Sequence, residues 1–305
     1  MWKRLDVVFT LKSPLHIGYL PSKGSVISRT RYYVPGKNFW GAITKGATEN
    51  LFDYPDAKNY IEIGEQIKNS FRFMYFYLYN GKTEYTPEFT NSGLKYGTVD
   101  VLEFERKFIG SRISTAIDGT KGTAKDESLH EIEFINNKYR DGNGTIRNTK
   151  LIGVIWVKEG AVLSDKDGEK KVGISNQGIF VDGFNFNLIE KLILGGEQNY
   201  GFGLVELESI NKERFPIDDV NTNDENIIIN IKKGNPIFSH LKYDKNVSFQ
   251  GDLELLSGRE YQKKSERYRN PGEYPVPPAY YFSPGTRLIS VDEKQLILER
   301  DGIII

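Results

Sequence analysis

Three short stretches combine residue types suited to holding a phosphate-rich ligand. The first is Gly195–Gly203, where Gly195, Gly196, Gly201 and Gly203 stand among Glu197, Gln198, Asn199, Tyr200 and Phe202. Glycine adopts positive φ without penalty and lets a backbone come close to a ligand. The N–H groups of such a loop can cradle an anion. The same spacing also suits a helix C-cap followed by a tight turn, so the loop alone leaves both readings open. A dinucleotide fingerprint or a P-loop is excluded, because the loop leads into a strand and lacks Gly-Lys-Ser/Thr. The second stretch is Tyr33-Val34-Pro35-Gly36-Lys37-Asn38-Phe39-Trp40-Gly41-Ala42. Pro35-Gly36 makes a turn and Asn38 is the expected N-cap of a helix. That helix start, beside Arg29, Arg31 and Lys37, suits a phosphodiester backbone. It also reads as an ordinary helix start with Phe39 and Trp40 in the core. The third stretch, Ala116 to Ala124, is polar and reads locally as a surface loop. His16, in Pro14-Leu15-His16-Ile17-Gly18, can act as a general base on a ribose 2′-hydroxyl. His130 and His240 fall in strand-like patterns and read as structural or surface residues.

The charges are segregated. The 305 residues carry 41 basic and 41 acidic side chains, a formal net charge of zero. Zero net charge excludes a uniformly basic coat for nucleic acid. Yet residues 7–48 hold Lys12, Lys23, Arg29, Arg31, Lys37 and Lys45 and no acid at all. Residues 106–125 carry Arg106, Lys107, Arg112, Lys121 and Lys125 against Asp118, and 259–269 carry Arg259, Lys263, Lys264, Arg267 and Arg269 against Glu260 and Glu266. Acids gather instead in 213–225. This pattern suits one face built for a polyanion, and solvated basic loops would produce it too. The absence of cysteine excludes disulfide scaffolds, thiolate metal sites and a cysteine nucleophile. The histidines lack metal-ligand spacing, so neither metal nor cofactor is expected. No run approaches the roughly 18 apolar residues of a membrane span, and the first residues lack the apolar stretch of a signal peptide. A cytoplasmic, globular protein is expected.

The elements that must position these residues follow from periodicity and turn signals. Strands are expected over 3–11, 71–79, 99–109, 129–135, 150–158 and 204–210. Helices are expected over 38–52 and 185–194, the second stopping at Gly195-Gly196. Residues 211–226 read as a polar linker. Beyond it come short strands over 227–232, 237–243, 246–256, 279–282, 286–291 and 294–299, around a basic, proline-rich loop at 259–278. Strand, helix, strands, helix, strand suits a ferredoxin-like α+β unit over 1–210, with a β-rich C-terminal extension or second half-domain over 227–305.

Taken in order, the motifs resemble the RAMP superfamily of CRISPR-associated proteins. Pro14-Leu15-His16-Ile17-Gly18 is similar to that family's PLHIG start, and Tyr33-Val34-Pro35-Gly36 with Gly41-Ala42 to its helix start. Ala116-Ile117-Asp118, Thr120, Gly122-Thr123-Ala124, Leu129, Glu131 and Glu133 are similar to its AID–T–GTA stretch, and Gly195–Gly203 to its glycine-rich loop. Residues 251–285 are similar to C-terminal regions of some type III members. The resemblance implies a ferredoxin-like (RRM-like) fold with an inserted thumb β-hairpin at about 111–127, carrying Ile117, Asp118 and Thr120. It implies a subunit of a type III effector complex in antiviral defence, bound to CRISPR guide RNA and target RNA and to other RAMP and large subunits. The RNA-binding residues it implies are His16, Gly18, Arg29, Arg31, Gly36, Lys37, Lys45, Arg112, Lys121, Gly195, Gly196, Asn199, Tyr200 and Gly203. Arg259, Lys263, Lys264 and Arg267 would form a further RNA or partner loop. Target-cleaving members carry an aspartate between the first strand and first helix, and residues 7–48 have none. A non-catalytic subunit is therefore expected. The alternative is a metal-independent endoribonuclease that processes repeat RNA, with His16 as base. Gln198-Asn199 stand where many relatives have arginines. Trp40 stands where a basic residue is frequent, so the helix start would stack on RNA rather than pair with it.

Overall fold

The computed structural model describes residues 1–19, 26–124, 128–217, 220–260 and 274–305. Lys263, Lys264 and Arg267 lie outside the described residues, as does the side chain of Arg259. The protein is built on one antiparallel sheet. Its long strands are Trp2–Leu11, Phe76–Tyr79 (preceded by Phe71–Phe73), Lys150–Lys158 and Leu204–Ile210. Numbered along the chain, they lie side by side as fourth, first, third and second. Lys191–Ile193 and Tyr33–Val34 close the two edges.

Alternation along these strands feeds two separate cores. Leu5, Val7, Phe9, Leu11, Leu151, Ile155, Val157, Phe76 and Leu78 point into the first. Trp2, Val8, Ile152, Val154, Trp156, Tyr75, Tyr77 and Tyr79 point into the second. Helices α1 (Gly36–Leu51) and α2 (Ala57–Ser70) cover the first face. Phe39, Ile43, Ala47 and Leu51 recur every four residues and form the buried stripe of α1. Helix α2 begins with a capping box, Asp56 accepting from the Asn59 N–H and Asn59 returning the bond. The C-terminal strands, among them Ile227–Lys232, Leu253–Glu260 and Tyr274–Phe282, cover the second face through Ile227, Ile229, Ile231 and Phe282.

The structure corrects four local expectations. Asn38 is not the N-cap of α1: the helix starts at Gly36 from an extended Pro35, with no side-chain cap, and the Asn38 N–H bonds to the Pro35 carbonyl at 3.0 Å. Residues 99–109 are mostly helix, not strand. Helix α3 (Val101–Phe108) is capped by Asp100, which accepts from the Glu103 N–H at 2.8 Å. Its Phe104 and Phe108, one turn apart, bury among Tyr85, Tyr96 and Tyr139. Asp100→Ala is expected to cost about 1 kcal/mol, read as a lower urea midpoint with unchanged slope; an unchanged midpoint would mean the cap is idle.

Residues 185–194 form no helix. Asn187 ties a turn by accepting from the N–H groups of Ile179 and Ile189, and the chain then runs as strand Lys191–Ile193. A three-stranded meander, Val162–Asp165, Gly168–Ser175 and Gly178–Val181, precedes it. Residues 211–217, read from composition as linker, are packed. Phe215 and Ile217 enter the second core, Arg4 donates to both their carbonyls, and Asp6 accepts from the Phe215 N–H.

A buried polar network crosses the seam between the sheet and the C-terminal strands. Glu254 accepts from Arg31, from Tyr33 at 3.2 Å and from His240 Nε2 at 2.8 Å, while His240 Nδ1 lies 2.7 Å from the Tyr75 hydroxyl. Burial pushes His240 below its ordinary pKa against the pull of Glu254. Burial would raise Glu254, but the hydrogen bond and charge of His240, with Arg31, hold it below the usual carboxylate range. Among the described residues no helix is long and apolar enough to cross a membrane, and no group of three His, Asp or Glu is placed to hold a metal ion.

Candidate nucleic-acid interface

The glycine loop folds onto the segment around His16. Gly196 N–H donates to the His16 carbonyl at 2.9 Å and Gly203 N–H to the Pro14 carbonyl at 2.8 Å. These approaches require glycine at two positions. A Cβ on Gly195, at φ 74°, would lie 2.2 Å from the His16 carbonyl oxygen. One on Gly203, at φ 91°, would lie 2.0 Å from that of Leu194. The helix C-cap reading fails, because strand Lys191–Ile193 and not a helix precedes the loop; the close approach observed is to the backbone of His16.

His16 is buried and oriented. Its Nδ1 lies 2.7 Å from the Glu133 carbonyl. A carbonyl only accepts, so Nδ1 carries the hydrogen and Nε2 holds the lone pair of the neutral ring. Nε2 sits 3.4 Å from the Ser28 hydroxyl. Gly18 and Gly196 flank that edge of the ring, and a Cβ on either would stand 3.5 Å or 3.4 Å from it.

A small three-stranded sheet carries the rest of this face. Ile109–Ser114 pairs with His130–Ile135, which pairs with Ile27–Ser28. Arg112, Ile132 and Ser28 stand opposite one another in one row, so their side chains share a face. Two residues along, Phe134 packs edge-on against Phe202 of the glycine loop at 5.3 Å. Arg112 and Ser28 in that row are exposed and His130 is half-buried, and in the glycine loop that Phe202 ties to strand His130–Ile135, Asn199 and Tyr200 are exposed. The pair of strands runs on into a hairpin, Ile117–Asp118 with Thr123–Ala124. Asp118 closes its turn by accepting from the Thr120 N–H at 2.9 Å and the Lys121 N–H at 3.3 Å. Ile113 and Ile117 are 68% and 73% exposed around it.

The remaining expected residues divide. Arg29 is exposed beside Ser28, Lys121 is exposed in the hairpin and Lys45 on α1. Arg31, only 9% exposed, turns away from this face: it donates to the Gly18 carbonyl, ion-pairs with Glu254 and lies over the Tyr19 ring. Gly36 is buried under the C-terminal segment, where a Cβ would meet the Phe73 carbonyl at 2.4 Å. Lys37 reaches the C-terminal strand at Gly258. Trp40 does not stack outward; its indole N–H donates to the Gly64 carbonyl of α2 at 2.9 Å and Lys68 lies over its ring. Sequence reasoning misses Ser28, Phe134 and the place of His130. The alternation of His130, Ile132 and Phe134 within one strand is the signal that aligns them.

No known family model matches this sequence, and no curated protein matches it. Solved structures do resemble it. A chain of Type III-B Cmr-beta, bound to cognate target RNA and AMPPnP, is 11% identical with a TM-score of 0.51, over 94% of this chain and 86% of that one. Chains of the same assembly with cognate target RNA alone (TM-score 0.45, 11% identity, 94% and 86% covered) and in the apo state (0.34, 8%, 68% and 98%) are also similar. At such identity the first likeness is one of fold.

Proposed function

We propose that this chain is a non-catalytic guide-RNA-binding subunit of a type III CRISPR effector complex. The single observation that carries the reading is convergence. The His16 segment, the glycine loop and the strand His130–Ile135, distant in sequence, are held together by direct contacts, and strand Ile109–Ser114 of the same small sheet, which bears Arg112, leads to an exposed hairpin. The fold likeness to a chain of Type III-B Cmr-beta bound to cognate target RNA supports it. The main sheet, in the order fourth, first, third, second, is read as a ferredoxin-like domain whose second helix is replaced by the meander. The hairpin is its thumb, with Ile117 as an apolar wedge for a guide–target duplex. Backbone N–H groups, Arg112, Arg29 and Lys121 would hold phosphates, and Tyr200 would stack on a base, the combination that binds RNA independently of sequence. Other RAMP and large subunits are the protein partners and the cytoplasm the location. The lack of any acid in residues 7–48 supports a subunit that holds target RNA without cutting it.

The test is fluorescence anisotropy with labelled guide RNA across a salt series. Arg29→Ala/Arg112→Ala/Lys121→Ala is expected to weaken binding at least tenfold at low salt and to flatten the log–log salt slope by about 2, at roughly 0.7 per lost phosphate contact on a single strand. Unchanged affinity and slope in a variant that melts like the parent would overturn the reading. One observation favours the endoribonuclease alternative: the oriented His16 has its Nε2 edge beside Gly18, Gly196 and the Ser28 hydroxyl. Repeat RNA incubated with the protein in EDTA decides it. Specific cleavage lost in His16→Ala would favour that alternative; uncut RNA removes it.

A further inference from the structure

We propose that the cavity between the start of α1 and the strands Leu253–Glu260 and Tyr274–Phe282 binds a single nucleobase. It lies at the seam between the sheet and the C-terminal strands, away from the His16 face. Its volume is about 220 Å³. That is below the usual range for a drug-sized ligand and on the scale of one flat ring system. Leu256, Val276, Pro277 and Ile303 give it apolar walls and Tyr281 an aromatic one.

Its polar lining is incompletely used. The Nε–H of buried Arg31 has no hydrogen-bond partner. The Asn38 amide and the Tyr281 hydroxyl line the cavity, and neither is bonded to a protein group among the described residues. Asp301 accepts the Ile303 N–H on one carboxylate oxygen, at 3.2 Å, and among the described residues no side chain is hydrogen-bonded to it. Burial pushes the Asp301 carboxyl above its ordinary value, as for a carboxylate short of donors. Asn38, Tyr281 and Asp301 are half-buried, and a ligand pairing with them gains hydrogen bonds that the described protein groups leave open.

The chemistry of the lining is specific. The Asn38 amide nitrogen donates, Asp301 accepts, and Tyr281 and the Asn38 oxygen add an adjustable donor and acceptor. A planar ring with mixed donors and acceptors along its edges and apolar faces satisfies that set. A phosphate satisfies it less well, because it offers no donor to Asp301 and would sit against that carboxylate, while the Arg31 charge is already met by Glu254 and the Lys37 charge acts on Asp301. The base can come from a free nucleoside or be one unstacked base of bound RNA. Only the second source rests on the RNA reading above.

Titration calorimetry of the full chain with adenosine, guanosine, cytidine and uridine, each alone, is the direct test. At least one is expected to bind. Tyr281→Phe, which removes only the hydroxyl, should weaken it about fivefold, the value of one hydrogen bond, and Asp301→Asn at least as much. Both variants are compared with the parent by thermal melting. RNA carrying 4-thiouridine distinguishes the sources: a photo-crosslink to the Tyr281 peptide identifies an RNA base. RNA bound through Arg112, with no nucleoside binding and no such crosslink, overturns the proposal and leaves the RNA reading intact. A nucleoside bound in a Tyr281-dependent manner by a protein with no RNA affinity does the reverse.

Discussion

Glu254→Ala is expected to lower the free energy of unfolding by about 3–5 kcal/mol, the cost of stranding a buried charge. Glu254 faces Arg31, His240 and Tyr33, all buried, and is the only carboxylate paired with Arg31 or His240 among the described residues. Removing it leaves the Arg31 guanidinium with the Gly18 carbonyl and the Tyr19 ring and, among the described residues, no carboxylate. Replacing the ion pair by Arg31→Met with Glu254→Leu removes both charges and should recover most of the loss, because an apolar pair of similar size is often neutral. His240 then lacks its acceptor, so recovery stays incomplete by about 1–3 kcal/mol. A double variant no more stable than Glu254→Ala would mean the loss is one of packing, not of charge. The network also sets a pH dependence. The folded His240 is harder to protonate than the unfolded one, so its contribution is full above about pH 6.5 and falls as the pH drops below that value. Glu254, held low, adds stability above the ordinary carboxylate range that is lost in stronger acid. Of the groups facing His240, Arg31 keeps its charge and Tyr33, Tyr75 and Tyr281 stay neutral over this window, their pKa values being raised. Asp301, raised by burial, acts in the opposite sense in the acid range. Urea midpoints should therefore fall from pH 7 to pH 5 in the parent and fall less in His240→Gln; parallel profiles would remove His240 as the cause.

The same network explains why the charge pattern misleads in part. The acid-free stretch 7–48 reads as one basic surface, but Arg31 meets its carboxylate 223 positions away, a pairing no local pattern contains. Lys37 follows it to the seam, while Arg29 stays outside. Strand 71–79 reads without clean alternation because both faces of the sheet are covered. Its phenylalanines enter one core and its tyrosines the other, and a strand buried on both sides reads as a continuous apolar run. That aromatic run was itself the sign that the C-terminal strands pack on the sheet rather than trail from a linker. In α3 the cap Asp100 and a pair of phenylalanines at helical spacing outweigh the β-branched residues at 99 and 101, which read as strand. In the glycine loop the residue types show that the backbone must come close to something, because only glycine permits such a contact, but not that its partner is the His16 backbone.

Gly195→Ala tests that contact most sharply. The methyl group would sit 2.2 Å from the His16 carbonyl oxygen and 2.9 Å from Ile17 Cδ1, at a φ of 74°. The left-handed conformation alone costs an alanine about 1–2 kcal/mol. The oxygen it meets belongs to the backbone, so the loop must move away as a whole. That movement breaks the Gly196 N–H bond to the His16 carbonyl, worth about 1 kcal/mol more, and carries Asn199 and Tyr200 of the loop with it. Gly201 is the control. It has a φ of 79°, yet a Cβ there would meet nothing within 4 Å. Gly201→Ala therefore carries the conformational cost without the collision. Gly195→Ala is expected to lose guide-RNA affinity by more than about tenfold, or 1.4 kcal/mol, and to melt earlier than Gly201→Ala, which should bind RNA nearly as the parent does. Equal losses in the two would mean that the loop contributes only its turn; equal retention would move the RNA off this face, because a loop displaced from His16 cannot keep a grip that His16 and the loop make together.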